Sequence, residues 1–263
     1  MIVRTAAWLG LGAIVLAATF GCGCAYAQSD RQNPPAAIAP AAPQVPTALP
    51  QDLAFGRFIG LIRGHLLTGD ELVGQRQWSA AHPHFGFPSE EVYGVIREQL
   101  HIYKTPPFDG ALKALARTVQ AHNAKQYPKA LQKVEDALAA ADAGLKARQQ
   151  NWPRFMVEVA IAVLKTAPDE YDDAVAQGRI VRPIGYQTAR GFILQADRMI
   201  ETAAPELTAK DAVALSEMRA GLAQLKQAFA SVTAPKLAVL DNAAVRGIVS
   251  RIEAVAGKLN LAQ

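Results

Sequence analysis

From Asp52 to Leu259 the apolar residues recur every three or four positions, and no run of alternating apolar and polar residues interrupts them. That period is the signature of helices packed through one face, and it leaves no segment to read as a strand. Leu215, Met218, Leu222, Leu225, Phe229 and Val232 form one long stripe, and Val245, Ile248, Ile252, Val255 and Leu259 form another behind Asp241, a suitable N-cap. Leu131, Val134, Leu138, Ala141 and Leu145 repeat the pattern between Pro128 and Gln150. Earlier helices are expected over about 52–75, from Ser89 with Val92, Ile96, Leu100 and Tyr103 inward, and over about 108–126. Phe155–Leu164 (FMVEVAIAVL) is apolar nearly all round and belongs at the centre. A short helix from Pro168 should end at Gly178, a good C′ glycine, and another should run over about 185–203. The fold class is all-α: about eight helices in two packed antiparallel four-helix groups, 51–150 and 151–263, meeting near Asn151-Trp152-Pro153.

The first fifty residues read differently. Arg4 is the only charge before Asp30, Ala6 to Phe20 is an apolar run, and Ala25-Tyr26-Ala27 suits a signal peptidase. Residues 1–27 are therefore expected to be a signal peptide that sends the chain to the periplasm or out of the cell. The apolar run is short for a permanent anchor, and no transmembrane segment is expected after it. Cys22 and Cys24 both fall inside the leader, so the exported chain has no thiolate for a disulfide, a metal or a nucleophile. Lipidation of Cys22 is the rival reading, and Phe20 is a poor neighbour for that cleavage. Residues 28–50, with Pro34, Pro35, Pro40, Pro43, Pro46 and Pro50, read as a solvated Pro/Ala-rich linker. A net charge of +4, evenly mixed, gives no platform for nucleic acid.

All five histidines (His65, His82, His84, His101 and His122) lie in the first group. His65 and His122 fall on apolar stripes, where a histidine is ordinarily a core residue bonded to a neighbour. Pro83 biases His82 toward an extended backbone, which would turn His82 and His84 to one side, with Glu90 or Glu91 near enough to add a carboxylate. Nitrogen and carboxylate donors suit iron, zinc or copper, and His65, His82, His84, Glu91 and His122 are the candidate ligands. The competing account has one histidine capping the Ser89 helix and the two acids answering its dipole. Glu158, inside the most apolar helix, is expected to enter a buried ion pair with Arg154 or Arg190. Asp169 to Asp173 opens the helix behind Pro168. Phosphate loops, nucleophile elbows and zincin motifs are absent from the sequence, so no catalytic residue is expected.

Glu170-Tyr171-x-x-Ala174-Val175-x-x-Gly178-x-Ile180-Val181, followed by Tyr186-Gln187-x-Ala189-Arg190-Gly191-Phe192, resembles a segment of bacterial iron-transport proteins. The resemblance is to the exported helical region that precedes the membrane part of oxidase-coupled iron permeases, and to imelysin-like periplasmic iron-uptake proteins. The family pattern often has an acid just before the tyrosine, where this chain has Gly185. The resemblance implies a helical bundle that handles metal through His and Glu side chains, with iron as its ligand and a membrane iron-transport component as its partner. It draws attention to Glu170, Tyr186 and Arg190. The expected function is an exported metal-binding accessory of iron uptake or sensing. The alternative is a non-catalytic structural or partner-binding module of the envelope that binds no metal.

Overall fold

The protein is described here by a computed structural model over residues 49–259. The expected leader, with Cys22 and Cys24, and nearly all of the expected linker lie outside the described residues. The chain begins with α1 (Gln51–Gly74), whose apolar face carries Phe55, Ile59, Ile62 and Leu66. Gly56, Gly60 and Gly64 stand four apart on this helix, one above another on the same side. A Cβ at Gly56 would lie 2.9 Å from Val159 Cγ2, one at Gly60 2.5 Å from Val163 Cγ2, and one at Gly64 2.6 Å from the Phe192 ring. The missing side chains let two later helices lie directly on the α1 backbone.

Next comes α2 (Trp78–Phe87), which holds the His82-Pro83-His84 segment in helical form rather than extended. Pro83 costs this helix one backbone donor, but the Phe85 ring seats on Gly69 of α1 and buries Ala81 and His84 with it. Packing therefore overrides the local preference of the residue before proline. Residues 88–103 pass through a π-helical turn (Pro88–Val92), the short α3 (Tyr93–Ile96) and a 3-10 helix (Arg97–Tyr103). Val92, Ile96, Leu100 and Tyr103 point inward all the same. Then follow α4 (Asp109–Gln120) and α5 (Tyr127–Lys146). His122 ends α4 in the left-handed region at φ 51°, with its own N–H bonded to the Val119 carbonyl and that of Asn123 to Thr118. That pairing is a Schellman stop, normally given to glycine.

The second segment opens with α6 (Trp152–Leu164), capped by the Asn151 side chain on the Arg154 N–H at 3.0 Å. It is followed by α7 (Ala167–Ala174), then by β1 (Val175–Ala176) and β2 (Arg179–Ile180), an antiparallel hairpin. Gln177 and Gly178, both at positive φ, form its two-residue turn. Gly178 is thus a hairpin residue rather than the end of a helix. The longest element, α8 (Pro183–Ala228), breaks at Asp211 (φ −153°, ψ 77°), whose carboxylate accepts from the Ala214 N–H. Its two arms run antiparallel: Arg219 bonds Glu201, and Lys226 bonds Asp197 at 2.8 Å, a pairing a straight helix forbids. Last comes α9 (Asn242–Gly257), with Asp241 as its N-cap on the Ala244 N–H.

The protein is all-α apart from that one short hairpin among the described residues. The count of about eight helices is slightly off, because 88–103 is divided among three helix types and α8 folds back on itself. The central α6 packs against α1, α8 and α9, and α1 packs against α2 and α8. None of the described helices is long and apolar enough to cross a membrane.

The α1–α8 crossing gives a direct test. A Cβ on Gly191 would strike the Gly64 carbonyl oxygen, whereas one on Gly247 of α9 meets only the tip of Arg251 at 3.8 Å. Gly191→Ala is expected to cost about 1–3 kcal/mol in denaturant unfolding through overpacking. Gly247→Ala should be neutral or stabilising by up to about 1 kcal/mol.

Candidate functional site

The motif behind Gly185 sits on the first arm of α8, and it faces two ways. Just past the end of the second arm its side chains satisfy carbonyls of residues 229–232, where the chain leaves the helix. Tyr186 Oη donates to Ser231 O at 3.1 Å, Gln187 Nε2 to Val232 O at 3.1 Å, and Arg190 Nε to Phe229 O at 2.9 Å. Toward α1 and α2 the same residues meet the histidine-bearing segment. Arg190 Nη1 reaches Glu71 at 2.5 Å, Thr68 Oγ donates to the Gln187 carbonyl at 3.0 Å, and Gln187 Oε1 faces His84 Nε2 at 3.2 Å. Gly185 itself belongs to the α7 crossing, where a Cβ would lie 2.7 Å from the Glu170 carbonyl oxygen.

His65 and His84 meet in this junction, their Nδ1 atoms 3.5 Å apart and both rings buried. The tautomers follow from the partners. Gln187 spends its amide N–H on Val232, so its oxygen is the acceptor and His84 Nε2 carries a proton. His84 Nδ1 is then a lone pair, and His65 Nδ1–H is the donor toward it. Phe192 and Phe87 lie edge-on to His65, with ring centroids 5.3 and 5.7 Å away. In this apolar setting burial pushes the His65 imidazole down to about 3, with the neighbouring His84 adding to the effect. Burial likewise holds His84 down at about 4, opposed by its bond to Gln187. Both are neutral near pH 7, and neutral imidazole is the form that binds a metal.

The structure does not bring the other candidate ligands to this point. His82 and His84 are two residues apart on a helix, about 200° around its axis, so His82 is half-exposed while His84 is buried. His122 lies at the surface with its ring stacked on Trp78 at 5.8 Å. Glu91 is exposed on the π-helical turn, and its charge is felt at Glu170. Among the described residues no three His, Cys, Asp or Glu side chains are placed to share an ion. The His65–His84 spacing suits two donors of one tetrahedral shell once the His65 proton moves from Nδ1 to Nε2, since nitrogens ~2.0–2.1 Å from an ion stand ~3.4 Å apart.

The remaining candidates have other partners. Glu158 is exposed on α6 and bonds Arg154 at 3.0 Å, so the expected buried pair is a surface one and Arg190 has no part in it. The apolar run at 155–164 leaves that single outward position for an acid. Glu170 is half-buried, and burial first, then Asp173, Glu91 and Asp169, push its carboxyl up to about 7 against the pull of Arg182. Arg246 from α9 bridges Asp169 and Asp172. Tyr186 is buried with its ring stacked on Phe229 at 5.0 Å.

Residues 146–262 match the family model of the iron permease-associated 4-helix bundle domain. The match covers less than half of the 263 residues. Its four long helical elements are α6, the two arms of α8, and α9. This agrees with the iron-permease resemblance at residues 170–192 and links the chain to iron-permease-associated proteins. No curated protein and no solved structure matches the chain. Gln187, Glu71 and Thr68 belong to this candidate site, and side-chain chemistry alone did not single them out. Gln187 stood inside the quoted motif, which was the available signal.

The histidine pair sets a pH dependence with a definite sign. Unfolded, each imidazole titrates near 6.5; folded, they are held at about 3 and about 4. Between those limits the unfolded chain binds more protons, so stability is full above pH 6.5 and falls as the pH drops. Glu170 acts in the opposite direction between about 7 and 4.5. Unfolding midpoints of the parent and His84→Gln, taken from pH 7.5 to 4.5, isolate the histidine effect. The parent should lose stability more steeply, by an amount approaching about 1.4 kcal/mol per pH unit. Parallel curves would mean that His84 titrates normally in the fold.

Proposed function

We propose that this protein is an exported, non-catalytic accessory of bacterial iron transport that takes the metal at His65 and His84 and works beside a membrane iron-transport component. The match of residues 146–262 to the iron permease-associated bundle carries this reading. Two observations support it: the imidazole pair is held against Gln187 and Phe192 of that matched segment, and its nitrogens have the spacing of neighbouring ligands. Iron is the cargo, and zinc or copper would suit the same nitrogens. The ion's remaining positions are taken by water or by a chelating anion that travels with it. His82, Glu91 and His122 stay outside this shell. The leader over residues 1–27 supports delivery to the periplasm, with a Cys22 anchor as the lesser route.

A second reading, a partner-binding envelope module without metal, draws on Val181, Leu237 and Val239, which are more than half exposed around the β-hairpin. One titration separates the two. The metal-free chain is titrated with ferrous, ferric, zinc and cupric ions beside His65→Gln/His84→Gln and His82→Ala/His122→Ala, with circular dichroism to confirm folding. The accessory reading expects one ion per chain in the parent and in the second variant, and a loss of at least about tenfold in affinity in the first. A folded parent that binds no ion, or a first variant that binds as the parent does, overturns it.

A further inference from the structure

A cleft of about 430 Å³ opens between α1, α5, α6 and the first arm of α8, within the size range of small-molecule sites. It is separate in composition from the histidine junction: none of His65, His84 or Gln187 lines it. One wall is apolar, built from Ile59, Leu67, Trp152, Phe155, Met156 and Met199. The two methionines give that wall an adaptable, polarisable surface. Arg63, one turn from both Ile59 and Leu67 on α1, is held by Glu135 at 3.2 Å and Asp142 at 2.6 Å, which uses its charge internally.

Three other polar groups in the cleft have no such engagement. Gln195 is only 6% exposed as a residue, and its amide, which makes no hydrogen bond among the described residues, is not among the fully buried unpartnered atoms and so stays open to the cleft. An amide left open to a cleft can donate to an anionic head placed there. Arg198 and Lys146 also line the cleft, and neither has a carboxylate in salt-bridge range among the described residues. Counting Arg63 with its two acids, the cleft carries one net positive charge.

We propose that this cleft binds a small amphiphilic anion, its apolar body on the Trp152–Met156–Met199 wall and its acidic head between Arg198, Lys146 and the Gln195 amide. The net positive charge and the open Gln195 amide specify the head, and the apolar wall specifies the body. Carboxylate and phosphate heads share this chemistry. The site stands independently of metal at His65 and His84.

Calorimetric titration of the full chain with dodecanoate, dodecyl phosphate and dodecanol, each below its aggregation concentration, tests the proposal. One dodecanoate or dodecyl phosphate should bind per chain, the tighter of the two naming the head, and dodecanol should bind at least about tenfold more weakly. Arg198→Ala/Lys146→Ala, both surface changes, should lose a similar factor, and Met156→Trp should block the cleft. His65→Gln/His84→Gln should bind as the parent does, which keeps this result separate from the metal titration. The proposal is overturned if neither anion binds the folded chain, if dodecanol binds as well as the anions, or if the double alanine variant binds them unchanged.

Discussion

Three glycines spaced four apart on α1 hold the architecture together. At Gly56, Gly60 and Gly64 there is no room for a Cβ, because Val159 and Val163 of α6 and Phe192 of α8 occupy that space. Helices that approach this closely bury nearly all the surface between them, and interiors at that density tolerate little change in volume. The consequence reaches beyond stability. Gly64 and Gly191 bring the backbones of α1 and α8 together, and that contact places Thr68, Glu71 and His65 of α1 against Gln187, Arg190 and Phe192 of α8.

The polar groups at that junction are interdependent. Arg190 is buried and carries a charge that must be answered; Glu71 does so from α1, while the guanidinium also holds the Phe229 carbonyl. Gln187 likewise divides its amide, giving N–H to Val232 and oxygen to His84. The first arm of α8 therefore closes the end of its own hairpin and fastens the histidine segment with the same side chains. Such a network orients His84 and settles its tautomer, which is what a nitrogen needs before it can accept either a proton or a metal.

Much of the helical core was legible because burial and period coincide. Val245, Ile248 and Ile252 are buried on α9 behind Asp241, and Val134, Leu138, Ala141 and Leu145 on α5, as their spacing requires. Val92, Ile96, Leu100 and Tyr103 point inward even though their backbone departs from a regular α-helix. The turns were less legible. Asp211 reverses α8 without glycine or proline, and His122 takes a left-handed stop that sequence rules reserve for glycine or asparagine. Each is a position where neighbouring contacts outweigh the local preference of one residue.

The candidate site divides in the same manner. Periodicity marked His65 as an inward histidine, and the Tyr186 to Phe192 motif drew attention to the stretch it meets, because both facts are local to the chain. The pairing of His65 with His84, the separation of His82 from His84, and the exposure of Glu158 depend on how α2 and α6 turn about their axes. A helix of known period still has a free rotation and a free neighbour, and both are settled by packing. Gly64 and Gly191 make that choice across more than a hundred positions of sequence, where no local pattern records it.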